Sequence, residues 1–231
     1  KLSLRQTKKL YMSALVKSSL ARKWVMALSG LFLVIFLTQH FVINITSVIA
    51  PDTFNEWSHF MGYNPLVQFV AQPILIGGLI VHFVMGIVLD LQNRKARPVK
   101  YAQFSGNSNS SWVSRNMIIT GLVVLAFLGL HMYDFWVHEM TVKYIDVQPE
   151  DPTRYLPELK EKFVSPVRVG IYVVSFILLA LHLWHGFNSS FQSMGAKAIN
   201  KGDGLRKATY AWSVLIPAGF VFIALYHHFT H

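Results

Sequence analysis

The chain has 231 residues, 53% of them hydrophobic and 14% charged, with a formal net charge of +10. A soluble domain carries about 25% charged residues, so this composition, with a mean hydropathy of +0.39, excludes an ordinary soluble protein. There is no cysteine, which excludes disulfides, iron–sulfur clusters and covalent c-type haem attachment within the chain.

Five runs contain no Asp, Glu, Lys or Arg: 24–51, 57–89, 116–133, 169–196 and 208–231. A spanning helix needs about 20 apolar residues. The expected fold is all-α: a polytopic membrane protein with five transmembrane helices in one bundle domain over 24–231, preceded by a basic segment over 1–23.

That first segment carries Lys1, Arg5, Lys8, Lys9, Lys17, Arg22 and Lys23 and no acid. The apolar run after it is too long for a signal peptide and ends without a small-residue cleavage pattern, so it reads as an uncleaved first span. Span I is expected over about 24–49, stopped by Ala50, Pro51 and Asp52. The connection 52–64 holds Asp52 and Glu56 and no base. Span II covers about 65–90, with Pro73 inside it predicting a kink.

A basic and then Ser/Asn/Gly-rich loop leads to span III, about 112–137. The connection 138–164 is the longest, punctuated by Pro149, Pro152 and Pro157. Span IV starts at Pro166, a favourable first-turn residue, and runs to about Ser193; span V covers about 210–229. Of the 21 Lys and Arg residues, sixteen fall in the amino-terminal segment, the II–III connection and the IV–V connection. By the positive-inside rule the amino terminus is cytoplasmic and the carboxyl terminus outside. The net charge is thus topological and predicts no nucleic-acid partner.

Four of the ten histidines lie deep in spans: His40 in I, His82 in II, His131 in III and His182 in IV. An ionisable residue inside lipid is costly and marks function by default, although one histidine on an apolar face is more often a packing residue. Depth sorts the four. At about 1.5 Å per residue, His40 and His131 lie about 16 and 12 Å from the outer helix ends, and His82 and His182 lie about 26 and 21 Å in. Each inner histidine precedes a glycine by four positions, Gly86 and Gly186, on the same helix face.

Ser29-Gly30 precedes His40 by ten residues, and Thr120-Gly121 precedes His131 by the same count. That offset, about 15 Å of helix, sets Gly30 and Gly121 at the inner level. Glycines also simply allow close helix packing, but two matched pairs favour a flat macrocycle between helices. The expected cofactors are two haem b groups: His82 and His182 at an inner iron, His40 and His131 at an outer one. Bis-histidine ligation needs neutral imidazoles whose second nitrogen is hydrogen-bonded. His185, three residues after His182, is the rival inner ligand, whereas His59, His138, His227, His228 and His231 read as solvated residues at the outer boundary.

The segments SSLARKWVMALSGLFL through His40, PILIGGLIVHFVMG with His82, GLVVLAFLGLH with His131 and LALHLWHGF with His182 carry a family likeness. The chain resembles the cytochrome b membrane subunits of succinate:quinone oxidoreductases, the succinate dehydrogenase and quinol:fumarate reductase group, in their dihaem single-anchor branch. The resemblance implies a flavoprotein subunit and an iron–sulfur subunit on the cytoplasmic side of a bacterial inner membrane. It also implies menaquinone or ubiquinone as substrate and the ligand pairing already read from depth. Some two-haem members carry a glutamate two residues before the span IV ligand; here that position is Ala180, which has no titratable group to carry a proton.

Quinone chemistry is expected beside the outer haem, where the titratable candidates are Glu56, His59 and Asp134. Glu56 comes first, because the family tends to place an acid between spans I and II; a solvated loop and a helix-end polar residue are the plainer readings of these positions. Two rival functions remain: the cytochrome b of a membrane hydrogenase or formate dehydrogenase, and a transporter relaying protons through histidines. The one-per-span order fits the first less well, and the absence of carboxylates near the span centres counts against the second.

Overall fold

The computed structural model describes residues 18–95, 116–195 and 203–230. All regular structure among them is helical, and five helices are long and apolar enough to cross a membrane. The basic segment over 1–17, most of the II–III connection, part of the IV–V connection and His231 lie outside the described residues.

Helix α1, Ser19–Ile49, forms span I. The Ser18 hydroxyl caps it by accepting the Ala21 N–H at 3.4 Å. It ends where Ala50 turns extended at φ −153° and Pro51 takes the first position of α2, Pro51–Tyr63. The connection expected over 52–64 is therefore almost wholly a helix. Proline with its preset φ and Asp52 in the first turn both favour that start.

Span II opens with a π-helical turn, Val67–Ala71, and continues as α3, Gln72–Lys95. Pro73 explains the turn. It has no N–H for the carbonyl four residues back and its ring crowds that carbonyl, so the chain widens just before it, with Gln72 N–H bonding Val67 O. Span III is α4, Met117–His131, followed by a π-helical stretch, Met132–Val137. It runs on through α5, His138–Met140, and a second such stretch, Thr141–Ile145. It thus extends past the end expected at 137. Helix α6, Tyr155–Lys162, then occupies part of what the sequence presented as loop.

Span IV is α7, Pro166–Ser193, capped by the Ser165 hydroxyl with Pro166 at the first helical position. Span V is α8, Gly204–Phe229, beginning earlier than the expected 210. Spans I to IV form a ring in which I packs on II and IV, and III packs on IV and II; span V lies against I and IV. Where they meet, small or hydroxylated residues, Ala27, Thr46, Ser47, Ser175, Thr209, Ser213 and Ala224, are buried beside an aromatic cluster of Phe127, Tyr172, Phe176 and Phe220. Apolar burial gives little drive in lipid, so helices associate through such close-approach surfaces. Large apolar side chains such as Ile35, Phe69 and Leu215 face outward, each more than 60% exposed.

Helix α2 is fixed against span III and α6 by polar ties. Asn55 Oδ1 accepts the Leu156 N–H at 2.9 Å, and Lys143 donates to the Gly62 carbonyl. Lys143 also pairs with Glu139 at 2.6 Å, while Arg154 bridges Glu139 and Glu158. These two partners raise the Arg154 pKa against the opposing effect of burial.

Candidate functional site

The four span histidines meet in two pairs. The His82 and His182 rings lie 6.4 Å apart, centroid to centroid, inclined at 74°. The His40 and His131 rings lie 5.6 Å apart at 89°. Both pairs join non-consecutive helices, so they arise from the bundle's packing. A metal–imidazole bond is about 2 Å, so two rings sharing one iron have centroids about 6 Å apart, and the donor set fits one metal at each pair.

The inner pair is built symmetrically. Gly30 of α1 faces His82: a Cβ added there would lie 3.3 Å from His82 Cε1. Gly121 of α4 faces His182 in the same way, also at 3.3 Å. Both distances are tighter than an ordinary contact, so the glycines are what let the imidazoles lie against spans I and III. Ser29 Oγ lies 3.2 Å from His82 Nδ1, and Thr120 Oγ1 lies 3.3 Å from His182 Nδ1. Each hydroxyl also donates to a carbonyl three residues back, Met26 O at 3.0 Å and Met117 O at 2.9 Å.

The same two methionines meet the other pair of glycines. The Met117 methyl is 2.9 Å from the Cβ that Gly186 lacks, and the Met26 methyl is 3.9 Å from that of Gly86. Met, Ser or Thr, Gly and His thus recur at one spacing, Met26, Ser29, Gly30 and His40 against Met117, Thr120, Gly121 and His131. The sequence reading used the glycines of this repeat and missed the part played by the hydroxyls and methionines, although the constant spacing was there to find.

The outer pair is walled by aromatic rings. Phe36 stacks on His40 at 5.5 Å, Phe220 lies 5.7 Å from His40, and Phe135 lies 5.2 Å from His131. His131 Nδ1 is buried with no hydrogen-bond partner among the described residues. A buried polar atom without a partner is expensive, as expected of a ring whose surroundings a bound group completes.

The three quinone-site candidates are not brought together. Glu56 is exposed on α2. His59, on the same helix, pairs through Nε2 with Glu150 at 2.7 Å and stacks on Tyr63. Asp134 is buried in span III, where Tyr172 donates to it at 2.8 Å and Arg168 lies 3.4 Å away. His227 is also buried, only 1% exposed, and lies 2.8 Å from Ser47 Oγ. It is therefore not the solvated boundary residue that the sequence led us to expect. His228 donates to the Phe163 carbonyl at 2.8 Å.

A groove of about 580 Å³ runs between α1 and α2, lined by Ile35, Thr38, Gln39, Val42, Ile43, Trp57, Phe60 and Met61. Gln39 precedes His40 in the chain, and Glu56 lies one turn before Phe60. A second groove of about 210 Å³ lies between spans II and III, next to Gln68, Gln72, Trp136 and Tyr144.

Together these features define a class: an all-helical polytopic membrane protein that carries two intramembrane histidine pairs. Among known proteins, the chain is 22% identical over 184 residues to the succinate dehydrogenase cytochrome b558 subunit of Bacillus subtilis (strain 168), covering 80% of this chain and 83% of that one. The likeness supports the relation to succinate dehydrogenase cytochrome b subunits that the sequence segments indicated. No family model and no solved structure matches.

Proposed function

We propose that the protein is the membrane anchor and electron-transfer subunit of a succinate:quinone oxidoreductase, with two b haems. In this reading it carries electrons between an iron–sulfur partner subunit and membrane quinone. The observation that carries it is the meeting of four intramembrane histidines as two pairs at ring separations of 6.4 and 5.6 Å. The likeness to a subunit named for succinate dehydrogenase and for cytochrome b supports the choice of partners and cofactor.

His82 and His182 would hold the inner haem, and His40 and His131 the outer one. Each haem, when bound, supplies a one-electron Fe(III)/Fe(II) couple. The chain's own part is to fix the rings and exclude water. Gly30 and Gly121 let the inner imidazoles approach spans I and III, and the aromatic wall around His40 and His131 keeps the outer site apolar. With sixteen of the bases on one side, the amino terminus is cytoplasmic, in a bacterial inner membrane, and the flavoprotein and iron–sulfur subunits dock on that face.

Reducing a quinone to its quinol takes two electrons and two protons. The α1–α2 groove suits that step. Its volume of about 580 Å³ lies within the roughly 300–1,000 Å³ of small-molecule sites, it is mostly apolar, and it adjoins the span that carries His40. Glu56, next in the chain to Trp57 of the lining, would pass protons from the outer aqueous side. The enclosed Asp134 is better suited to holding spans III and IV together.

The test is purification from membranes with the partner subunits, followed by a pyridine haemochrome assay and reduction by succinate, formate or hydrogen. Two haems per chain, reduced by succinate alone, support the reading. Reduction by formate or hydrogen instead moves the protein to the other cytochrome b class, and a colourless protein sinks the haem reading altogether.

A further inference from the structure

The inner histidines each meet a hydroxyl that is already committed to its own helix. A serine or threonine in a span commonly bonds the carbonyl three or four residues back. Ser29 and Thr120 make that bond, to Met26 and Met117, and each also meets a histidine Nδ1, at 3.2 and 3.3 Å. A hydroxyl has one proton and two lone pairs. With its proton on the backbone carbonyl, the oxygen can only accept from the imidazole. Both contacts are hydrogen bonds in one arrangement alone, with Nδ1 protonated and the Nε2 lone pair free.

We propose that Ser29 and Thr120 are positioning residues that lock His82 and His182 in the Nδ1–H tautomer and so present Nε2 to the inner iron. The proposal rests on the haem reading above and deepens it. Outer-shell acceptors of this kind orient a ligand ring and raise its basicity. Two different helices supply the hydroxyls, each directly before the glycine that admits the ring, and at His182 the Met117 carbonyl accepts from the same ring and supports the same tautomer. The outer pair has no such device. His40 has only an Asn44 amide at 3.5 Å from its ring nitrogens, and His131 Nδ1 has no partner among the described residues.

The experiment compares Ser29→Ala, Thr120→Val and the double variant with the unaltered complex purified from membranes. Ser29→Thr and Thr120→Ser serve as conservative controls. Haem per chain and the midpoint potential of each haem are read by spectroscopic redox titration. Each hydroxyl loss should weaken inner-haem retention about 10-fold and raise the inner midpoint potential, because a less basic ligand favours ferric iron less. The outer haem should keep its content and potential, which also reports that the bundle has folded. The conservative variants should behave as the unaltered protein does.

Native inner-haem content and potential in the double variant would overturn the proposal, as would equal shifts in the hydroxyl-retaining controls. The functional reading fails separately if His82→Ala and His182→Ala leave the inner haem in place. An unaltered complex without haem overturns both.

Discussion

Tyr172 donates a 2.8 Å hydrogen bond to Asp134 inside the bundle, tying span IV to span III just beyond the outer histidine pair. Arg168, on the same helix as Tyr172, reaches the other carboxylate oxygen at 3.4 Å. The Asp134 side chain is 1% exposed, whereas that of Arg168 is 33% exposed. The buried acid therefore depends on the phenol more than on the guanidinium. A hydrogen bond to a charged group is worth about 1.5–3 kcal/mol. Tyr172→Phe should cost about 2 kcal/mol of stability, seen as a lower thermal unfolding temperature. Asp134→Asn should retain quinone turnover per folded molecule; loss of turnover with both haems bound would make Asp134 the proton carrier instead.

The ring pairs predict which haem each substitution removes. His82→Ala and His182→Ala should take away the same inner haem and interrupt electron flow from the partner subunits. His40→Ala and His131→Ala should take away the outer one. His185→Ala should leave two haems per chain in a pyridine haemochrome assay, because it is His182 whose ring meets His82. A protein that loses the inner haem on His185→Ala, and keeps it on His182→Ala, places the ligand one turn away.

The five spans were legible because lipid imposes a strong rule: long charge-free runs become helices, since no other backbone can satisfy its polar groups there. The depths of His40, His82, His131 and His182 were legible because a helix advances by a constant rise, and the structure pairs the rings that the depths had matched. Helix ends were less legible. Pro51 read as a stop and is also the start of α2, and span III continues through Asp134 and Glu139 because Tyr172 and Arg168 hold the first and Lys143 and Arg154 the second. Such partners lie far away in sequence, where no local pattern can show them. The hydroxyls of Ser29 and Thr120 were visible as a spacing, but their direction depends on how α1 meets α3 and how α4 meets α7.

Alkaline pH should loosen the outer cap. The Tyr155 phenol is pushed upward in pKa by burial first and then by the nearby Glu139 carboxylate. Its folded pKa thus exceeds the unfolded value of about 10, so its contribution to stability is full below pH ~10 and is lost as pH rises toward the folded value. The unaltered protein should therefore lose more thermal stability between pH 9 and 11 than Tyr155→Phe does. Equal losses in the two would show that the phenol does not contribute.

Glu56 provides the sharpest test of where quinone reacts. It is exposed on α2, one turn from Phe60, which with Gln39 beside His40 lines the groove. Helix α2 is held in place by the Asn55–Leu156 and Lys143–Gly62 hydrogen bonds, neither of which uses Glu56. Replacing it should therefore leave the bundle and both haems intact. Glu56→Gln keeps the shape and removes the titrating group. A positioned acid or base typically contributes 10²–10⁴-fold, so succinate:quinone turnover should fall on the order of 10²-fold at unchanged haem content. Electron entry from succinate should still reduce both haems, which would then stay reduced because their outlet is blocked. Normal turnover in Glu56→Gln would move the quinone site away from the α1–α2 groove, and the Gln68, Gln72, Trp136 and Tyr144 groove would be the next place to test.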